Sequence, residues 1–149
     1  LSPRSFEGRD VKLDTLILAD AVTIADGKCF VHGGGFTRYD IANLPAPIPI
    51  GIFARLLIED GDYEAPHHIV FSLFGPTGDL NVPAVGVQAI PPADLPPLAE
   101  GEEPAVQISA EIPAVAVRVG VYRFEMTVDG TLVRTLEFPV LLDESGLSN

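Results

Sequence analysis

The sequence contains a single cysteine, Cys29, among 149 residues, so the chain has no internal disulfide framework. Positive charge is also scarce. Nine Lys and Arg stand against 21 Asp and Glu, a net charge of −12, and an acidic surface repels phosphate backbones and anionic lipid headgroups. Nucleic-acid and membrane-surface partners are therefore not expected. No apolar run reaches the ~18–20 residues of a spanning helix, and no basic-then-apolar signal segment opens the chain. Helical patterning is nearly missing: no window places apolar residues at i, i+3, i+4 and i+7 without a Gly or Pro inside it. No internal repeat is present.

What the chain does have is apolar residues at 47%, with 14 Gly and 14 Pro. Its length fits one domain, large enough to bury roughly 70% of its unfolded surface. The apolar residues recur at i, i+2, the strand period. Ile50, Ile52, Ala54, Leu56 and Ile58 fill one face, with Arg55 and Glu59 on the other. Ile69, Phe71 and Leu73 form a second set. Val106, Ile108, Ala110 and Ile112 alternate with Gln107, Ser109 and Glu111, and Tyr122, Phe124, Met126 and Val128 alternate with Arg123, Glu125 and Thr127. A last strand places Leu132, Leu136, Phe138 and Val140 on one face, and Pro139 argues for an edge position. Asp26-Gly27 and Asp129-Gly130 sit at hairpin positions, and Asp60-Gly61 and Pro76-Thr77-Gly78-Asp79 are further turns. Together these predict an all-β, antiparallel sandwich of about seven or eight strands over residues 11–142. Residues 1–10 are expected to be poorly ordered or extended, and 143–149 to form a polar tail.

Two stretches break the pattern. Asn43 to Pro49 carries three prolines, and Ile90 to Pro104 carries five prolines with four carboxylates. Proline lacks the ladder donor, so both are placed as stiff loops outside any central sheet. A proline-rich ligand for an aromatic groove is the functional alternative. No two prolines lie three apart and no basic residue flanks the second run, which favours the structural reading.

Leu16 to Thr37 (LILADAVTIADGKCFVHGGGFT) and Gly120 to Val140 (GVYRFEMTVDGTLVRTLEFPV) resemble the opening and the closing hairpin of an uncharacterised bacterial β-sandwich family of unknown function. The resemblance implies no activity. Gly120 to Phe124 also resembles the tyrosine corner of immunoglobulin-like sandwiches, with Phe124 standing where antibody domains have their second cysteine. It implies an immunoglobulin-like architecture and not an antibody-like role, because the chain has no Trp and no cysteine pair.

Each candidate for chemistry has a plainer explanation. His67 and His68 are the most metal-like pair, but neighbouring strand side chains point to opposite faces, so only one could ligate, with Asp60, Asp62 or Glu64 as partners. His32 is remote in sequence. Glu59 to Glu64 offers alternating carboxylates for weak calcium binding without the EF-hand pattern. Gly33-Gly34-Gly35 invites a phosphate-loop reading, yet no helix follows it, and a bulge or close backbone approach accounts for it better. Cys29, Ser72 and Ser109 lie inside strands with no nucleophile turn around them. No catalytic, cofactor or metal residue is assigned.

Leu16 to Ala19, Phe53 and Leu57, and Val115 to Val121 offer apolar residues on both strand faces, more than one core requires. Surplus apolar area marks interfaces. The expectation is a non-enzymatic protein-binding or structural module, with self-association or a protein partner, no small-molecule substrate identified and no cofactor. A virion or secretion-apparatus decoration or adaptor protein is one alternative, and an enzyme with a site shared between subunits is another. A lone cysteine and no signal segment fit the cytoplasm.

Overall fold

Alternating burial along the strands follows the alternation in sequence, and this sets which faces meet. The computed structural model describes residues 11–58, 66–89, 99–101 and 105–143. The expected N-terminal segment 1–10, the acidic turn from Glu59 to Glu64, most of the loop from Ile90 to Pro104 and the tail beyond Asp143 lie outside them. The described residues are all-β, without helix. Twelve strands run in order: β1 (Val11–Ala19), β2 (Ala21–Ala25), β3 (Lys28–His32), β4 (Tyr39–Ile41), β5 (Ala46–Pro47), β6 (Ile50–Ile58), β7 (His67–Phe74), β8 (Val85–Ala89), β9 (Ala105–Ile112), β10 (Val115–Ala116), β11 (Gly120–Val128) and β12 (Thr131–Leu142). They form a three-stranded sheet β1-β6-β9, a five-stranded sheet β4-β12-β11-β7-β8, and the two-stranded ladders β2-β3 and β10-β5.

One core joins the two larger sheets. Ile50, Ile52, Ala54, Leu56 and Ile58 of β6 share it with Ile69, Phe71 and Leu73 of β7 and with Tyr122, Phe124, Met126 and Val128 of β11. Ring pairs fix its centre. Phe71 stacks on Phe124 with centroids 5.9 Å apart, and Tyr122 stacks on its cross-strand partner Phe138 at 6.1 Å. Such pairs add about 0.5–1.5 kcal/mol beyond the area they bury. The Asp26-Gly27 and Asp129-Gly130 turns have the backbone that two-residue hairpins require. Asp26 and Gly27 have φ of 54° and 72°, and Asp129 and Gly130 have φ of 50° and 86°, matching the right-handed twist of the strands they join.

The structure corrects the expected strand pattern in four places. The strand count exceeds seven or eight because β4, β5 and β10 are short and because the run from Leu13 to Ile24 is cut at Asp20. There the Asp20 N–H donates to the His32 carbonyl at 2.9 Å, so β1 stays with β6 while β2 turns off to pair with β3. The pairing is not purely antiparallel, since β12 runs parallel to β4 through Val140 to Leu142. Leu132 does not share the core face with Leu136 and Phe138. A bulge between Met126 and Thr127 in the β11–β12 register leaves Val133 packed on the core and Leu132 exposed. Finally, Asn43 to Pro49 is more than a loop: Ala46 and Pro47 form the β5 ladder with β10, and Ile48 is fully buried. Pro139 stands just before the stretch of β12 that β4 covers, where the outer side of the strand has no ladder partner among the described strands.

The β2-β3 hairpin lies across β6 and β9, and Gln107 Nε2 donates to the Gly27 carbonyl at 3.1 Å. Gly51 permits the crossing. A Cβ built there would meet the Ala21 backbone at 3.1 Å and the Val22 nitrogen at 3.2 Å. Phe53, two residues on along the same face, is buried. Gly51→Ala therefore has to lift the hairpin and is expected to cost about 1–3 kcal/mol. Gly86→Ala in β8, where nothing lies within 4 Å, is the control. Equal melting temperatures for the two variants would refute this account of the crossing.

Candidate functional site

Strand alternation separates the two adjacent histidines as expected: His67 is 5% exposed and His68 points outward. One partner of His67 comes from 62 residues away. His67 Nδ1 lies 2.8 Å from Asp129 Oδ2, in the β11–β12 turn. The same carboxylate accepts the His68 N–H through Oδ1 at 2.9 Å, and the Asp129 N–H donates to the His68 carbonyl at 2.7 Å. Asp129 thus shapes a turn and clasps the start of β7. Burial pushes its carboxyl up, but the hydrogen bonds from His67 and the His68 amide, with the charges of both imidazoles, together hold it below its usual range. Among the described residues, no group of three or more His, Cys, Asp or Glu is placed to hold a metal. Asp60, Asp62 and Glu64, the ligands considered for His67, lie outside the described residues, and His32 sits exposed at the end of β3.

The glycines at 33–35 serve a close approach. Gly33 and Gly35 have φ of 69° and 74°, and the Gly35 N–H donates to the Leu18 carbonyl at 3.0 Å. A Cβ on Gly34 would meet Val31 at 2.5 Å, and one on Gly33 would strike the Asp20 carboxylate. A carboxylate beside the loop disfavours a phosphate there, and the chain continues into β4 and not into a helix. Burial pushes the Cys29 thiol up, away from the reactive thiolate. Ser72 and Ser109 remain within β7 and β9, with Ser109 exposed.

A different feature emerges before β11. From Val115 in β10 to Val121 near the start of β11, Val115, Val117, Val119 and Val121 are 40%, 60%, 41% and 52% exposed, whereas Ala114 and Ala116 are buried. Leu80, half exposed, shares with Val115 and Val117 a cleft of about 280 Å³ whose lining also includes Pro76, Asp79, Arg118 and Tyr122. The backbone of this segment is held by polar anchors. Asn81 Nδ2 donates to the Val115 carbonyl at 2.8 Å while its Oδ1 accepts the Val115 N–H at 3.1 Å. The fully buried Tyr122 donates its hydroxyl to the Arg118 carbonyl at 2.7 Å. Gly120, at φ 140°, leaves space that Pro76 fills, since a Cβ there would meet the ring at 2.7 Å. The result is an ordered segment that shows its apolar side chains to solvent.

The cleft is lined by one cation and one anion. Arg118 and Asp79 both line it. Among the described residues the ion pairs engage Arg38, Arg55, His67 and Arg123, and not Arg118. The Asp79 carbonyl accepts the Gly75 N–H at 2.9 Å, and its carboxylate accepts a long contact, 3.4 Å, from the Thr77 hydroxyl.

Of the three stretches with apolar residues on both faces, the structure absorbs two. Leu18, Ala19 and Phe53 are buried and Leu57 is half-buried, whereas Val115 to Val121 stays bare at alternate positions. The clasp of His67 by Asp129 is not visible among the carboxylates that neighbour His67 in sequence. The Asp-Gly turn at 129–130 was its one visible signal.

Two outcomes follow from these anchors. Because the folded-state value of Asp129 is lowered, its stabilisation is complete above the ordinary carboxylate range and disappears as pH falls through the lowered value. Asp129→Asn, which tolerates the positive φ, is expected to cost about 1 kcal/mol near neutrality, with the difference from wild type vanishing in acid; melting curves across pH measure this. Tyr122→Phe leaves the Arg118 carbonyl without its donor and is expected to cost about 1–2 kcal/mol. Amide exchange should accelerate at 116–120 more than in β7, and uniform exchange would argue against a local anchor.

No curated protein matches the chain. Among solved structures, one similar in shape is the Pseudomonas fluorescens alkylpurine DNA glycosylase AlkC bound to DNA containing an abasic-site analogue, at 15% identity and a TM-score of 0.40. The match covers 92% of this chain and 32% of that one, so this chain spans about a third of its length. A family model described as a family of unknown function, DUF6941, matches residues 14–141, and the chain belongs to that family.

Proposed function

We propose that this chain is a non-enzymatic, immunoglobulin-like β-sandwich that binds protein through the valine ridge at 115–121. The observation that carries this reading is the ridge itself: four valines left in solvent on a backbone that Asn81 and Tyr122 hold in place. Ordering a segment costs roughly 1–2 kcal/mol per residue, and a segment already ordered spends less of its contact energy on binding. An apolar surface in this state is ready for a partner.

Two features support the architecture. Tyr122 opens the penultimate strand with its hydroxyl bound four residues upstream, as in a tyrosine corner. The two larger sheets also share one core. A cytoplasmic location is supported by the free Cys29. No helix among the described residues is long and apolar enough to cross a membrane.

The test places a photo-crosslinking residue at Val117 or, as control, at the exposed Lys28 of the distant β2-β3 hairpin, in cells that express the chain naturally. A single protein species, which includes a second copy of this chain, is expected from position 117 alone, and Val121→Glu should abolish it. Equal and diffuse labelling from both positions would remove the ridge as a binding surface.

A further inference from the structure

We propose that the occupant of the valine ridge is a second copy of this chain, docked about a two-fold axis so that Arg118 of each copy meets Asp79 of the other. The inference rests on the binding role given to the ridge above and adds the identity of the partner. Its basis is self-complementarity. In a two-fold contact the same patch serves both sides, and a residue touching its counterpart's neighbour is touched in return. The cleft beside the ridge holds one cation and one anion, Arg118 and Asp79, which are not paired with each other within the chain. Around them lie Leu80, Val115 and Val117, all substantially exposed. Two such faces set together bury valine against valine and bring each charge to its opposite.

The net charge of −12 acts against any association of like chains. Its reach is short. At physiological ionic strength the Debye length is about 8 Å, so charges far from the contact are largely screened. The segment from Val115 to Val121 carries no carboxylate, and its only charge is Arg118. The ridge thus adds no carboxylate of its own to the contact, and two Arg–Asp pairs offset part of the repulsion that remains.

Sedimentation velocity of the whole chain from low to high micromolar concentration tests the proposal. Wild type is expected to shift from monomer to dimer, and Val117→Glu should weaken the dimer about tenfold or more while leaving the melting temperature unchanged at the low concentrations where both are monomeric. Arg118→Asp sets two carboxylates against two others and should weaken it to a similar degree. Its backbone carbonyl still accepts the Tyr122 hydroxyl, so the fold is kept. The double variant Asp79→Arg with Arg118→Asp restores opposite charges and should recover the wild-type dissociation constant. A wild type that stays monomeric at high micromolar concentration overturns the inference, as does a double variant no tighter than the single one. If position 117 nevertheless cross-links to a different protein, the ridge keeps its binding role and only the self-docking is lost.

Discussion

The hydroxyl of Tyr122 is the point on which core and surface depend together. Its ring is fully buried against Phe138, and a buried hydroxyl without a partner costs roughly 1–3 kcal/mol. The Arg118 carbonyl supplies that partner. Satisfying one interior group therefore dictates the path of the chain ahead of β11, and that path carries Val117 and Val119 outward. Asn81 acts on the other side, holding both backbone groups of Val115. The ridge is bare because its backbone, and not its side chains, is tied to the body of the molecule.

The same economy appears at the turns. Asp129 adopts the positive φ that a two-residue hairpin needs and at the same time binds the ring of His67 and the amide of His68. One residue closes the β11–β12 hairpin and fastens it to β7. The interior histidine is thereby tied to a turn 62 residues away. Asp20 plays a related part, ending β1 through its amide and filling with its carboxylate the space beside Gly33.

Much of the architecture was legible because burial in a strand follows parity. The inward faces of β6, β7 and β11 match their sequence alternation residue for residue, from Ile50 to Ile58 and from Tyr122 to Val128. Parity fails where an extra residue enters. At Val133 the bulge exchanges inward and outward positions, so Leu132 faces solvent. It is also silent on pairing partners, and for that reason the parallel contact of β12 with β4 and the ladder of β5 with β10 were not foreseen.

The amino-acid sequence by itself determined that the chain is all-β, where its two Asp-Gly hairpins turn, and which strand faces point inward, since each follows from local sterics and a period of two. Tertiary structure alone decided which surplus apolar residues find cover. Phe53 lies on the face that the β2-β3 hairpin crosses at Gly51, while Val115, Val117, Val119 and Val121 meet no covering element among the described residues. Both groups look alike in sequence because hydrophobicity is a property of a side chain, whereas burial depends on what the rest of the chain brings within reach.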